Sequence, residues 1–332
     1  MNRRQKQWLL VASLVFFSIN LGAMLLYGKK TFYVEDHPAA EQSYDYHFAL
    51  ITEEVGNAYW RLIENGAKEA AENENVYLEY IGPSKSDLEE KLQTLDRMIS
   101  AKVDGIITQG LPGQRFLDLV HKARENGIPV ITVDTDVPKS ERQVYVGTNN
   151  YEAGFLAGQA LIVDTKGEQN VGVIMGSFEA LNQQERLDGF LDAISNSSRI
   201  KVVDQKESNI TEIGAAQATY SILREHPEIT ALFGTSALDG VGIVQGIREF
   251  NPSEDMYVAA FDILPETLSL IEDEDIDITI SQYPKEMGKV AVEQMLKIQQ
   301  EESVNPFQYT ATKVIRKDDV RNGELIGNGD AR

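Results

Sequence analysis

ITEEVGNAYWRLIENGA, residues 51–67, is the stretch whose reading decides the fold. An apolar run, FALIT (48–52), enters a loop and then a helical pattern, which is the first βα turn of an α/β domain. A nucleotide-binding fold places a glycine fingerprint against a phosphate at this turn. Here the turn reads EEVGNAYW and carries Asn57, Tyr59 and Trp60. An amide and two adjacent aromatics at a helix start offer flat apolar faces and mixed hydrogen bonding. That suits either a stacked ligand or the packing of a lobe, and it excludes a dinucleotide dehydrogenase.

The pattern continues. VYLEYI (76–81), DGIIT (104–108), IPVITV (128–133), VGVIMG (171–176), IKVVD (200–204), TALFG (230–234), MYVAAF (256–261) and DITIS (277–281) read as strands. Helical stretches of ten or more residues separate most of them, so the sheets are expected to be parallel and covered on both faces. The order also repeats: FALIT and VGVIMG each lead to a glycine in a helix, Gly66 and Gly189, and IPVITV and MYVAAF each end at an aspartate, Asp134 and Asp262. The expected fold is α/β, two similar Rossmann-like lobes with a hinged cleft between them. The lobes are expected at 46–148 with 283–304 and at 149–282 with 305–332.

The first 30 residues differ from the rest. MNRRQKQ is basic, and Trp8 to Tyr27 is 20 residues without a charge, matching a hydrocarbon core about 30 Å thick. This predicts an uncleaved transmembrane signal-anchor, with the N-terminus in the cytoplasm and a single-pass chain whose soluble part is extracytoplasmic. Residues 31–45 read as a tether. With no cysteine in the 332 residues, disulfides, thiolate metal sites, thiol nucleophiles and a lipid-modified cysteine are excluded, and four scattered histidines give no zinc spacing. A formal charge of −21 argues against nucleic acid as a partner. No metal and no cofactor are expected: GVGIVQG (240–246) has the wrong glycine spacing for a dinucleotide, and EDEDID (272–277) lacks a calcium loop's glycine.

Ligands of open parallel sheets bind at the carboxyl ends of the strands. That rule collects Asn57, Tyr59, Trp60, Asp134, Arg186, Ser236, Asp262 and Gln282. Flat faces ringed by carboxylate, amide and guanidinium groups describe a sugar site. Plainer roles compete: Tyr59 and Trp60 as lobe-packing aromatics, Asp134 and Asp262 as helix caps, and Arg186 as a surface partner of Glu185 or Asp188.

Six motifs in one order resemble the ribose-binding type of periplasmic sugar-binding proteins, relatives of the ligand-binding core of the lactose-repressor family. They are GNAYWRLIENGA (56–67), IPVITVDTD (128–136), QQERLDGF (183–190), ALFGTSALDGVG (231–242), VAAFD (258–262) and ISQYPKEMG (280–288). The resemblance spans residues 46–315. It implies two lobes joined by three chain crossings that close on a monosaccharide; a binder without catalysis is expected, with a sugar-acting enzyme as the lesser alternative. It also implies contacts from Asn57, Tyr59, Trp60, Asp134, Arg186, Asp262 and Gln282. Two places depart: Thr135 stands where the ribose binder has Arg, and Ser236 and Ala237 replace an Asn-Asp pair, which leaves space for a larger hexose, a modified sugar or a less polar ligand in place of ribose. The expected partner is a membrane permease or a sensor histidine kinase.

Overall fold

The computed structural model describes residues 2–4, 8, 14–24, 43–251 and 256–326. Residues 14–24 are helical. Most of the expected tether, and parts of the expected Trp8–Tyr27 span, lie outside the described residues. Among the described residues no helix is long and apolar enough to cross a membrane. Tyr44 onward forms a compact unit of its own.

The first lobe begins with β1 (Tyr46–Ile51), α1 (Ala58–Asn73), β2 (Val76–Ile81), α2 (Leu88–Ala101), β3 (Gly105–Gln109), α3 (Gln114–Glu125), β4 (Val130–Val133) and β5 (Val144–Gly147). The chain crosses to the second lobe for α4 (Asn150–Asp164), β6 (Gln169–Met175), α5 (Leu181–Ile194), β7 (Ile200–Glu207), α6 (Glu212–Glu225), β8 (Ala231–Gly234), α7 (Asp239–Phe250), β9 (Tyr257–Phe261), α8 (Pro265–Glu272) and β10 (Ile278–Ile280). It returns for α9 (Pro284–Gln299) and β11 (Phe307–Tyr309), then crosses a third time to β12 (Val314–Ile315) and a small hairpin, β13 (Val320–Arg321) with β14 (Glu324–Leu325). The sheets run β11-β5-β4-β3-β1-β2 and β12-β10-β9-β8-β6-β7, the same order twice. The strand pairs are parallel except β10 with β12 and the hairpin.

The continuous apolar strands follow from burial on both faces. Along β1, Phe48 and Leu50 enter the core beneath α1 and α9, while Ala49 and Ile51 enter the core beneath α2 and α3. The two helical glycines have one cause. A methyl group on Gly66 would fall on the Lys285 carbonyl of α9, and one on Gly189 on the Tyr151 carbonyl of α4. α1 with α9 in the first lobe and α5 with α4 in the second are therefore packed backbone to backbone, as are α6 and α7, where a methyl group on Gly242 would meet the Glu212 carbonyl.

Two expectations are corrected, and the acidic run finds local partners. β5 was not among the strands read from the sequence, because it is four residues long and follows β4 with no helix between them. The last crossing falls after Tyr309 rather than at 305, since β11 pairs with β5 in the first sheet. The acidic run 272–277 is occupied locally: Glu272 accepts from the amides of Asn322 and Gly323, Asp275 pairs with Arg248, and Glu274 with Lys317.

Candidate functional site

One cleft of about 720 Å³ lies at the carboxyl ends of both sheets, within the 300–1,000 Å³ usual for small-molecule sites. All nine residues singled out from the sequence line it: Asn57, Tyr59, Trp60, Asp134, Thr135, Arg186, Ser236, Asp262 and Gln282. The lobes touch across it. Asn182 of α5 donates to Asp134 Oδ2 at 3.1 Å, and Ala237 packs against the core cluster that holds Tyr59 and Trp60.

Asp134 and Asp262 occupy equivalent places just past β4 and β9. Both adopt the left-handed region, with φ of 67° and 71°, where non-glycine residues are uncommon and gather at functional sites. Each backbone is pinned in the same way. The Asp134 amide donates to the Val146 carbonyl and its own carbonyl accepts from the Tyr145 hydroxyl. The Asp262 amide donates to Ile280 and its carbonyl accepts from Thr279 Oγ1. Neither caps a helix: α8 is preceded by Leu264 and has no side-chain cap. The helix-cap alternative falls for both.

Their side chains differ in company. Asp134 accepts from Tyr59 Oη at 2.8 Å, Thr135 Oγ1 at 2.9 Å, Asn182 Nδ2 at 3.1 Å and Gln109 Nε2 at 3.4 Å. Asp262 accepts from one group, the Gln282 amide, at 3.0 Å to each oxygen. Burial pushes Asp262 up to about 7; Arg186 opposes this, and the negative charge of Asp134 adds to it. Burial also raises Asp134, against the pull of Arg186 and the Tyr59 and Thr135 hydrogen bonds.

Arg186 is 2 % exposed, which removes the surface-pair alternative. Its guanidinium donates to Asn150 Oδ1 at 3.0 Å, to the Thr235 carbonyl at 2.7 Å and to Gln282 Oε1 at 2.8 Å, and lies 4.2 Å from the centre of the Phe261 ring. Gln282 Oε1 also accepts from Thr148 Oγ1 at 2.9 Å. Thr148 and Gln282 sit on two chain crossings, so Gln282 ties the hinge to both Arg186 and Asp262. Ser236 lines the cleft and its Oγ is buried; the hydroxyl lies beside the Asp239 carboxylate, which it helps hold down, but makes no full hydrogen bond, so a ligand hydroxyl could still complete it.

Tyr59 and Trp60 belong both to the first lobe's core and to the cleft wall. The Tyr59 ring meets Trp60 edge-on, and its hydroxyl is committed to Asp134. Asn57 caps α1, accepting from the Trp60 amide at 3.2 Å. The two aromatics at this βα turn thus close the core beneath the cleft and form part of its wall, with the Tyr59 hydroxyl holding Asp134.

The sequence reading missed Asn182, Asn150, Gln109, Glu53 and Lys91. Asn182 lies four residues before Arg186, on the same face of α5, and that spacing was a usable signal. Among the described residues, Asp204, Glu225 and His226 form a group with metal-type donors, but Lys206 already sits on Glu225 at 2.8 Å and Asp204 at 3.5 Å.

A periplasmic binding protein domain is matched over residues 48–303, and the chain belongs to that family. It is 21% identical to the D-allose-binding periplasmic protein of Escherichia coli (strain K12), over 78% of this chain and 86% of the relative. GanP, a glucose-galactose binding protein from Geobacillus stearothermophilus, has a similar structure, with a TM-score of 0.80 and 47% identity over 82% of this chain and 98% of that one. A structure described as the XylFII-LytSN complex is similar at a TM-score of 0.78 and 35% identity, over 82% and 98% of the two chains.

Proposed function

We propose that this member of the periplasmic binding protein family captures a neutral monosaccharide in the interlobe cleft, outside the cytoplasmic membrane and without chemical turnover. The observation that carries this reading is the ring of Asp134, Asn182, Arg186, Asp262 and Gln282. It is contributed by both lobes and tied to two chain crossings, with the buried Ser236 hydroxyl beside it. Such a ring accepts and donates in alternation, as a polyol requires, and its two carboxylates lie near a single guanidinium, which disfavours an anionic ligand. The 47% identity to a glucose-galactose binding protein supports a hexose.

The same proposal keeps the protein at the membrane through residues 1–30. Leu14, Val15, Phe16, Phe17, Ile19, Leu21 and Met24 are exposed along the helical residues 14–24. Ser18 and Asn20 turn back on the carbonyls four residues earlier, which suits polar side chains in an apolar medium. Held there, the bound lobes would dock on a membrane partner, either an ABC-type permease or a sensor histidine kinase. The similarity to XylFII, a protein found in a complex with LytSN, supports docking on a protein partner, and the sensor kinase is kept as the second reading.

Calorimetric titration of the full-length protein in detergent with glucose, galactose, xylose, arabinose and ribose tests the reading. Saturable binding of at least one sugar that is recovered unchanged is expected. Absence of binding to all five, or appearance of a product, overturns it.

A further inference from the structure

Lys91 lies on the buried side of α2, beside Leu92 and Thr94, with 6 % of its surface exposed, and it lines the cleft. Its one hydrogen-bond partner is Glu53 Oε1 at 3.3 Å. That is longer than the 2.7–2.9 Å typical of a charge-assisted bond, and an ammonium has three donors. Among the described residues, two donors of a nine-tenths buried cation therefore have no acceptor. A buried ion pair stabilises little when its remaining hydrogen bonds are unmade, so core packing does not account for Lys91.

The pair sits beside the ring of site residues. Glu53 Oε1 also accepts from Ser86 Oγ at 2.9 Å. The Gln109 amide is 3.4 Å from both Glu53 Oε2 and Asp134 Oδ2. Glu53 and Asp134 thus share one amide nitrogen and are no further apart than twice that distance, so a single sugar ring held at Asp134 is within reach of the Glu53–Lys91 pair. A sugar held at Asp134 would direct a substituent on the far side of its ring toward Lys91. Because Glu53 neutralises Lys91, the extension suits a hydroxyl; a carboxylate there would face Glu53 and Asp134.

We infer that Lys91, positioned by Glu53, Ser86 and Gln109, is the donor that reads the exocyclic hydroxymethyl group of a hexopyranose, and so sets hexose over pentose. The inference rests on the sugar-binding reading above. It is tested with matched pairs that differ only in that group: D-glucose against D-xylose, and D-galactose against L-arabinose. Affinities are measured by calorimetry for the full-length wild type, for Lys91→Met, and for Glu53→Gln combined with Lys91→Met, which leaves no lone carboxylate if the single variant fails to fold. The wild type is expected to prefer the hexose of at least one pair. In the variants that hexose-to-pentose ratio should fall tenfold or more, the worth of a hydrogen bond from a charged donor. A smaller fall, or a wild type that binds pentose as tightly as hexose, overturns the inference and leaves the sugar-binding reading standing. If no sugar binds the wild type, both fall.

Discussion

If the proposed sugar binds at Asp262, its affinity should depend on pH, and the sign follows from the surroundings of that carboxyl. In the ligand-free cleft its carboxyl titrates at about 7, because burial opposes the charge and one amide is its only hydrogen-bond donor. Sugar hydroxyls that donate to the carboxylate favour the ionised form, so the bound state draws the carboxyl back toward the ordinary range near 4. Protonation then competes with the ligand between those values. At pH 8 about nine-tenths of the free protein is ready to bind, whereas at pH 5 only about one molecule in a hundred is. Affinity should therefore rise about 80-fold from pH 5 to pH 8, roughly 2.6 kcal/mol, and level off above 8. Without ligand the same group works the other way. Its raised value contributes stability below the ordinary carboxylate range that is lost as pH climbs through 7, at most about 1.4 kcal/mol per unit. Calorimetry in two buffers of different ionisation enthalpy would report both the affinity and the proton released on binding below pH 7. Asp262→Asn should flatten the profile. An affinity constant within threefold from pH 5 to 8, or an unchanged slope in Asp262→Asn, refutes the reasoning.

Three further outcomes follow from packing. Trp60→Ala should destabilise the ligand-free protein by about 3–5 kcal/mol in thermal melts, since the indole fills the first lobe's core and leaves a cavity there; a melt within about 2 °C of wild type would mean the core closes without it. Arg186→Met should cost about 3–5 kcal/mol, or roughly 6–10 °C, because it strands Gln282 and two buried carboxylates; loss of sugar binding with an unchanged melting temperature would confine the side chain to the ligand. Gly288→Val should push α9 off α1, where its Cβ would meet the Ile63 carbonyl, and lower stability by more than about 1–3 kcal/mol; a variant as stable as wild type would show that the helix pair has slack.

The sequence carried the sheets because burial on both faces writes long apolar runs, and β1 shows this by feeding alternate residues to two separate cores. It did not carry β5, β11 or β12, of four, three and two residues, whose places are set by neighbouring strands rather than by a period of their own. The cleft was legible wherever the rule of strand ends applied, from Asp134 to Gln282. It was illegible where a helix face reaches across the cleft, as at Asn182, or where a pair joins distant segments, as Glu53 and Lys91 do over 38 residues. Arg186 stood in view, but its depth did not: an arginine on an amphipathic helix reads as surface until Asn150, Thr235 and Gln282 are seen around it.

Duplication explains why two aspartates stand at matching left-handed positions, each with amide and carbonyl fixed by the following strand. It does not explain their chemistry, which has diverged. Asp134 is surrounded by donors from Tyr59, Thr135, Gln109 and Asn182, so its carboxylate is largely satisfied before a ligand arrives. Asp262 has Gln282 alone, and Gln282 is held by the hinge through Thr148. The deficit therefore lies on the second lobe, at the carboxylate coupled to the crossing segments. A hydroxylated ligand resting on the well-satisfied first lobe supplies the missing donors only if the second lobe stays against it. On the proposed sugar-binding reading, differential hydrogen bonding to Asp262 should then be the term that biases closure of the lobes, since a ligand shifts conformations only by binding one of them better.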